Sequence, residues 1–224
     1  MKIRYAKDRG TTRLAWLNSA HSFSFGQYYD PRFNGHGPLI VLNDDWVAPH
    51  TGFGRHGHQN MEIFTFMLAG ELSHTDSLGH QTLLRAGDLQ LMSAGTGIYH
   101  SEMNHGAEPV HFLQIWLEPN VLRTAPLYQQ INRSELNAPL LVGPQGSGAP
   151  LCIKQDAHIY FYDLHDAELP TLQTQGQYAY LHIFSGELHC AGEVLRAGDA
   201  ILLEQGEKPD IRGNHVGFLW FDML

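Results

Sequence analysis

Two separated segments carry side chains of the types and spacing that bind a metal. The stretch GFGRHGH supplies His56 and His58, and IYHSEM supplies His100 and Glu102. In an extended strand, residues i and i+2 share a face. Each pair can therefore aim two donors into one space. Laid side by side in a small barrel, the two strands would gather three imidazoles and one carboxylate around a single ion. A lone H-x-H is weak, because surface histidines at that spacing are common; its pairing with H-x-E across intervening hairpins is the stronger signal. The alternative is a polar cluster satisfied by hydrogen bonds alone.

Such a donor set suits a first-row divalent ion, and neither a Cys-rich structural zinc nor an all-oxygen Mg²⁺ or Ca²⁺ site. On a six-coordinate ion, four protein ligands leave two cis positions. One can take a chelating substrate oxygen and the other O₂ or water, as an oxygenase requires. Fe(II) is the first choice. Mn, Ni, Co, Cu and Zn stay open, because affinity order does not decide occupancy.

The elements that must position these residues read as β. Met61–Leu68, Glu71–Asp76, Thr82–Leu84, Leu89–Met92, Ile98–Met103 and Val110–Leu117 are strand-like, separated by Gly-rich turns. This spacing indicates an all-β sandwich or barrel. Upstream, HSFSFGQYYDP suits a short strand or edge segment, and Leu39–Leu42 reads as a buried strand broken by Asn43-Asp44-Asp45. Arg123–Asn132 reads as one short helix with Pro126 near its start. VGPQGSGAP (Val142 to Pro150) marks the best domain boundary. Strand-like segments then return at His158–Leu164, Tyr178–Phe184, Ala200–Leu203 and Val216–Phe221.

An internal repeat divides the chain. Gly70-Glu71-Leu72 recurs as Gly186-Glu187-Leu188, and Leu84-Arg85-Ala86-Gly87-Asp88 recurs as Leu195-Arg196-Ala197-Gly198-Asp199. Carrying the offsets of His56, His58 and Glu62 across to Gly186 lands on Leu172, Thr174 and Tyr178; the equivalent of His100 is Ile211. The second half therefore has the framework without the ligands. The expected domains are 1–130, binding the metal, and 131–224, structural and without metal ligands.

Bulk properties exclude several classes. The chain has 224 residues with a net charge of -9 at pH 7. An acidic chain with no basic run is a poor candidate for direct nucleic-acid or anionic-membrane binding. No apolar stretch approaches a transmembrane helix, and MKIRYAKDRG lacks the apolar run of a secretory signal. Cys152 and Cys190 do not form a disulfide framework and are expected as buried free thiols, which with the missing signal points to the cytoplasm.

GFGRHGHQNMEIFTFMLAGE followed by LRAGDLQLMSAGTGIYHSEMN resembles the two conserved segments of the cupin superfamily in the pirin version; SFSFGQYYDP and VLNDD are also pirin-like. The resemblance covers nearly the whole chain and is closest to the bacterial pirins described as quercetin 2,3-dioxygenases. It implies a bicupin with one metal bound by the residues matching His56, His58, His100 and Glu102. Cupins generally also take a Glu ligand from the first segment, matching Glu62 here; the pirin pattern leaves it beside the site. Pirins usually have H-P-H where this chain has His56-Gly57-His58, which loosens the backbone between ligands.

The implied activity is cleavage of a flavonol such as quercetin with O₂, with Glu102 taking the substrate proton and Glu62 as a second base or a partner that orients a histidine. The implied state is a monomer. The rival is a non-enzymatic, redox-responsive metal protein that modulates another protein; a third reading is the same site acting on another substrate. Phe23, Phe25, Tyr28, Tyr29, Phe53 and Phe64 are candidates to line an aromatic pocket, with some of Phe53, Phe64 and Met67 expected to reach it. His74, His80, His105 and His111 lack paired spacing and are expected exposed or in ordinary hydrogen bonds.

Overall fold

The computed structural model describes residues 1–166, 168–213 and 215–224. It is all-β, with helix limited to short 3-10 turns at Ala6–Asp8 and Arg133–Glu135 among the described residues. No helix there is long and apolar enough to cross a membrane. The chain forms two compact units.

The first unit comprises Gly10–Asn137 with Leu151–Gln155. One sheet is ordered Leu127–Asn132, Asp88–Ser93, Glu62–Ala69, Val110–Leu117, Leu39–Val47, Leu17–His21, Gly10–Arg13. The other is ordered Gly52–His58, Ile98–Met103, Glu71–Asp76, Gln81–Arg85. Neighbouring strands run antiparallel throughout. Leu72 and Leu84 of the smaller sheet pack with Met67, Val110, Phe112, Val47 and Leu17 of the larger one. Alternation explains the packing. In Val110–Leu117, Val110 and Phe112 face this core, while Gln114 and Trp116, on the same face, continue it toward a cavity.

The second unit comprises Met1–Arg9, Ala138–Pro150 and Asp156–Leu224. This division differs from 1–130 and 131–224, because Lys2–Arg4 pairs antiparallel with Ala200–Glu204. Tyr178–Cys190 lies centrally, between Ala200–Glu204 and His215–Met223. Its core gathers Leu181, Ile183, Leu188, Leu195, Ile201, Phe218 and Trp220.

The repeat is physical. Gly70 and Gly186 both turn at positive φ, 80° and 71°, where a Cβ would be strained. In each copy the backbone N–H three residues earlier donates to the aspartate that ends the turn: Arg85 to Asp88 and Arg196 to Asp199, both at 2.7 Å.

Three expectations fail. Leu127–Asn132 is a strand, not part of a helix. Arg123 sits at φ 56° with its N–H on Asn60, which breaks helical geometry, and the strand then pairs with Asp88–Ser93. Asn43-Asp44-Asp45 does not end its strand; Leu39–Val47 runs straight through. Asn43 and Asp45 are buried on one face, where His21 and the cavity receive them. HSFSF also departs from its reading: its strand ends at His21, and a Phe25–Tyr28 bridge follows.

Candidate metal centre

Gly52–His58 and Ile98–Met103 lie side by side, with His56 opposite His100 and a bulge between His100 and Glu102. The bulge shifts the register so that Glu102 faces Phe53. Glu71–Asp76 flanks the other edge, placing His74 opposite Glu102 and Asp76 opposite His100. The imidazoles converge: ring centroids are 4.4 Å apart for His56 and His100, 4.8 Å for His56 and His58, and 5.0 Å for His58 and His100. One ring nitrogen from each lies within 4.8 Å of the others.

Glu102 approaches the same cluster: its carboxylate groups with ring nitrogens of His74 and His100, again within 4.8 Å, so two overlapping sets share His100, and Glu102 lines the same cavity as His56 and His58. Both sets lie in the first unit.

The histidines are prepared as ligands. His56 donates from Nδ1 to the Gly54 carbonyl at 2.8 Å, leaving Nε2 as its free donor atom. Both nitrogens of His100 are buried without a hydrogen-bond partner, an arrangement that costs free energy unless something binds them. Burial, then the neighbouring rings, pushes His100 down to about 2 and His58 down to about 4. These imidazoles are neutral at pH 7 and present lone pairs. Three nitrogens with a nearby carboxylate fit a first-row divalent ion.

Burial pushes Glu102 up to about 7, with Asp45 adding to the effect. Gln90 and Gln114 each donate to its carboxylate from Nε2 at 3.3 Å. Asp45 is likewise raised to about 7, chiefly by burial. A cavity of about 430 Å³ opens against these groups, lined by His56, His58, Glu102, Asp45, Asn43 and Gln114 and by the rings of Phe25, Phe53, Trp16 and Trp116.

Glu62 is elsewhere. Its carboxylate accepts from Ser93 Oγ at 2.7 Å and from the Lys154 backbone N–H at 3.3 Å. Strand parity explains this placement: Thr65, an odd number of positions away, faces Gln90 and Gln114, so Glu62 points to the opposite side. Of the aromatic candidates, Phe53 and Phe25 line the cavity, whereas Phe23, Tyr28, Tyr29, Phe64 and Met67 do not.

His74 is fully buried beside His100 and makes the ordinary hydrogen bond that was the other expectation, to Asp76 at 3.2 Å. His80 bonds Asp76, His111 bonds Asp44 and His105 is exposed. Cys190 is buried and Cys152 only partly so, both free. Sequence reading missed Asn43, Asp45, Gln90, Gln114, Trp16, Trp116 and His74. The available signal was alternation: polar residues recurring at i and i+2 within otherwise apolar strands.

Comparison with known proteins is consistent with this arrangement. The Pirin family profile matches residues 2–117, and a quercetinase C-terminal cupin domain profile matches residues 140–223. A quercetin 2,3-dioxygenase of Escherichia coli K12 is 42% identical over 164 residues, covering 72% of this chain and 71% of that protein. The crystal structure of YhhW from Escherichia coli matches with a TM-score of 0.94 at 33% identity, covering 100% of this chain and 97% of that one. A second structure, of bacterial pirin YhhW in complex with nickel(II), matches at 0.93 and 34% identity, covering 99% and 98%.

Proposed function

The chain belongs to the pirin family, and on that premise we propose that it is a metal-dependent dioxygenase that cleaves a flavonol with O₂. One observation carries the reading: His56, His58 and Glu102 sit on the wall of an open, ring-lined cavity rather than in a sealed core. A pocket of this size suits a planar three-ring ligand.

His56, His58, His100 and Glu102 would hold the ion. When bound, the metal supplies Lewis acidity that lowers the pKa of a coordinated hydroxyl, and open positions for substrate and O₂. The remaining work belongs to the protein. Glu102, a carboxylate on the cavity wall beside the histidines, takes the proton of the flavonol 3-hydroxyl. Gln90 and Gln114 keep its oxygens in place. Trp16 and Phe53, packed edge to face at 5.1 Å, form one apolar wall, and Trp116, edge-on to His58 at 4.9 Å, forms another. The Trp116 Nε1–H has no partner and is free to orient a substrate oxygen. Ring opening consumes O₂ and releases carbon monoxide and a depside.

The test is metal-reconstituted protein mixed with quercetin in air. The reading predicts loss of the flavonol's visible absorbance, dependent on O₂ and metal and abolished by His58→Ala. No turnover with any of Fe, Mn, Ni, Co, Cu or Zn favours a regulatory metal protein or a different substrate.

A further inference from the structure

We propose that Asp45 determines substrate specificity: it hydrogen-bonds a substrate hydroxyl other than the one that meets the metal, so the cavity selects polyhydroxylated aromatics over singly hydroxylated ones. The proposal rests on the flavonol reading and deepens it, by naming the substrate class and the residue that selects it.

Three observations carry it. First, Asp45 brings an unused polar atom to the cavity. It is 4% exposed and lines the cavity wall. Ser19, directly opposite on the neighbouring strand, donates to its carboxyl, while Oδ1 is buried without a partner. A buried polar atom left unpaired costs free energy. A ligand that displaces water from Oδ1 without replacing its hydrogen bond loses affinity.

Second, the surrounding protein groups are committed elsewhere. Asn43, two residues back on the same face, bonds His21 Nδ1 through its Oδ1 at 2.8 Å, and His21 Nε2 bonds Thr12 Oγ1 at 2.8 Å. Gln114 donates to Glu102 and accepts from Thr65 Oγ1 at 2.8 Å. Phe112, directly across from Asp45 on the other neighbouring strand, is apolar. A partner for Oδ1 therefore comes from the cavity side.

Third, the placement fits one ligand chemistry. Asn43 is directly opposite Gln114, so Asp45 is the diagonal neighbour of the residue that holds Glu102. Diagonal side chains on adjacent strands lie about 7–8 Å apart, a span that a fused ring system bridges. Trp16, Phe53 and Trp116 form apolar walls for a flat ring body, and the anionic groups Asp45 and Glu102 repel an acidic substituent. A hydroxyl both donates and accepts, so it pairs with Asp45 whether or not the carboxyl carries a proton.

The test uses the full chain reconstituted with Fe(II) and kept free of O₂, so that binding is measured apart from turnover. Quercetin and 3-hydroxyflavone, which keeps the 3-hydroxyl and lacks the others, are titrated in turn. Quenching of tryptophan fluorescence reads occupancy, because Trp16 and Trp116 line the cavity. The wild type should bind quercetin at least about 10-fold more tightly than 3-hydroxyflavone. Asp45→Leu should weaken quercetin by about 10-fold or more and change 3-hydroxyflavone by less than about threefold, which removes the preference. Asp45→Asn keeps a hydrogen-bonding group in place and should retain most of it. If Asp45→Leu disturbs folding by circular dichroism, Asp45→Ala replaces it with the same expectation. A preference that survives the loss of Asp45, no preference in the wild type, or binding of neither flavonol overturns the proposal. Absence of turnover in air with these binding preferences intact refutes the dioxygenase reading alone, so the two failures are distinguishable.

Discussion

Asp45→Asn should make the first unit less sensitive to pH. Asp45 is buried, and burial moves its carboxyl from 3.8 to about 7, against the opposing hydrogen bond from Ser19. The folded chain therefore keeps a proton here that the unfolded chain releases above pH 3.8. A protein that binds more protons folded than unfolded loses stability as pH rises. The loss runs from about pH 4 to 7 and then levels off. Its full size is on the order of 4 kcal/mol, at about 1.4 kcal/mol per pH unit. Asn mimics the protonated acid and cannot ionise, so the variant lacks this loss. Chemical denaturation of metal-free protein, followed by tryptophan fluorescence at steps from pH 4.5 to 8, reads the difference. The variant should gain on the wild type by about 1 kcal/mol per pH unit up to pH 7. A difference that stays flat across that range would refute the reasoning, because Asp45 would then be ionised in the folded protein.

Three further outcomes follow from the geometry. Gly52→Ala should unfold the ligand-bearing edge: its Cβ would meet the Glu102 carbonyl oxygen at 2.1 Å and Met103 Cα at 2.7 Å, both backbone, so a loss of about 2 kcal/mol or more in thermal stability is expected. Gly57→Ala, between the two ligands, should be milder, under about 1 kcal/mol, since its Cβ meets only the exposed Tyr99 ring, at 2.9 Å, which can swing aside. Gln114→Leu removes one donor to Glu102 and disfavours its ionised form, so the pH at which turnover rises should move upward in a pH–rate profile.

Much of the fold was legible because alternation and glycine turns are local signals. Glu71–Asp76, Ile98–Met103 and Val110–Leu117 coincide with their sequence readings, and the repeated turns share one aspartate bond. The paired histidines were legible because i, i+2 spacing carries geometry by itself. What escaped was set by tertiary contact. Asn43-Asp44-Asp45 looks like a turn by composition, yet Asn43 pairs with His21 and Asp45 faces the cavity, and neither is visible in local sequence. His74 looked incidental because its partners, Asp76 and His100, come from its own strand and a neighbouring one. Glu62 was drawn to the site by family pattern, while strand parity turns it toward Ser93.

Anomalous diffraction from crystals of the metal-loaded protein tests the central claim most directly. The account predicts a peak in the first unit, about 2.1 Å from ring nitrogens of the His56, His58 and His100 cluster. A loaded crystal with no peak there, or with its metal bound in the second unit instead, would contradict it.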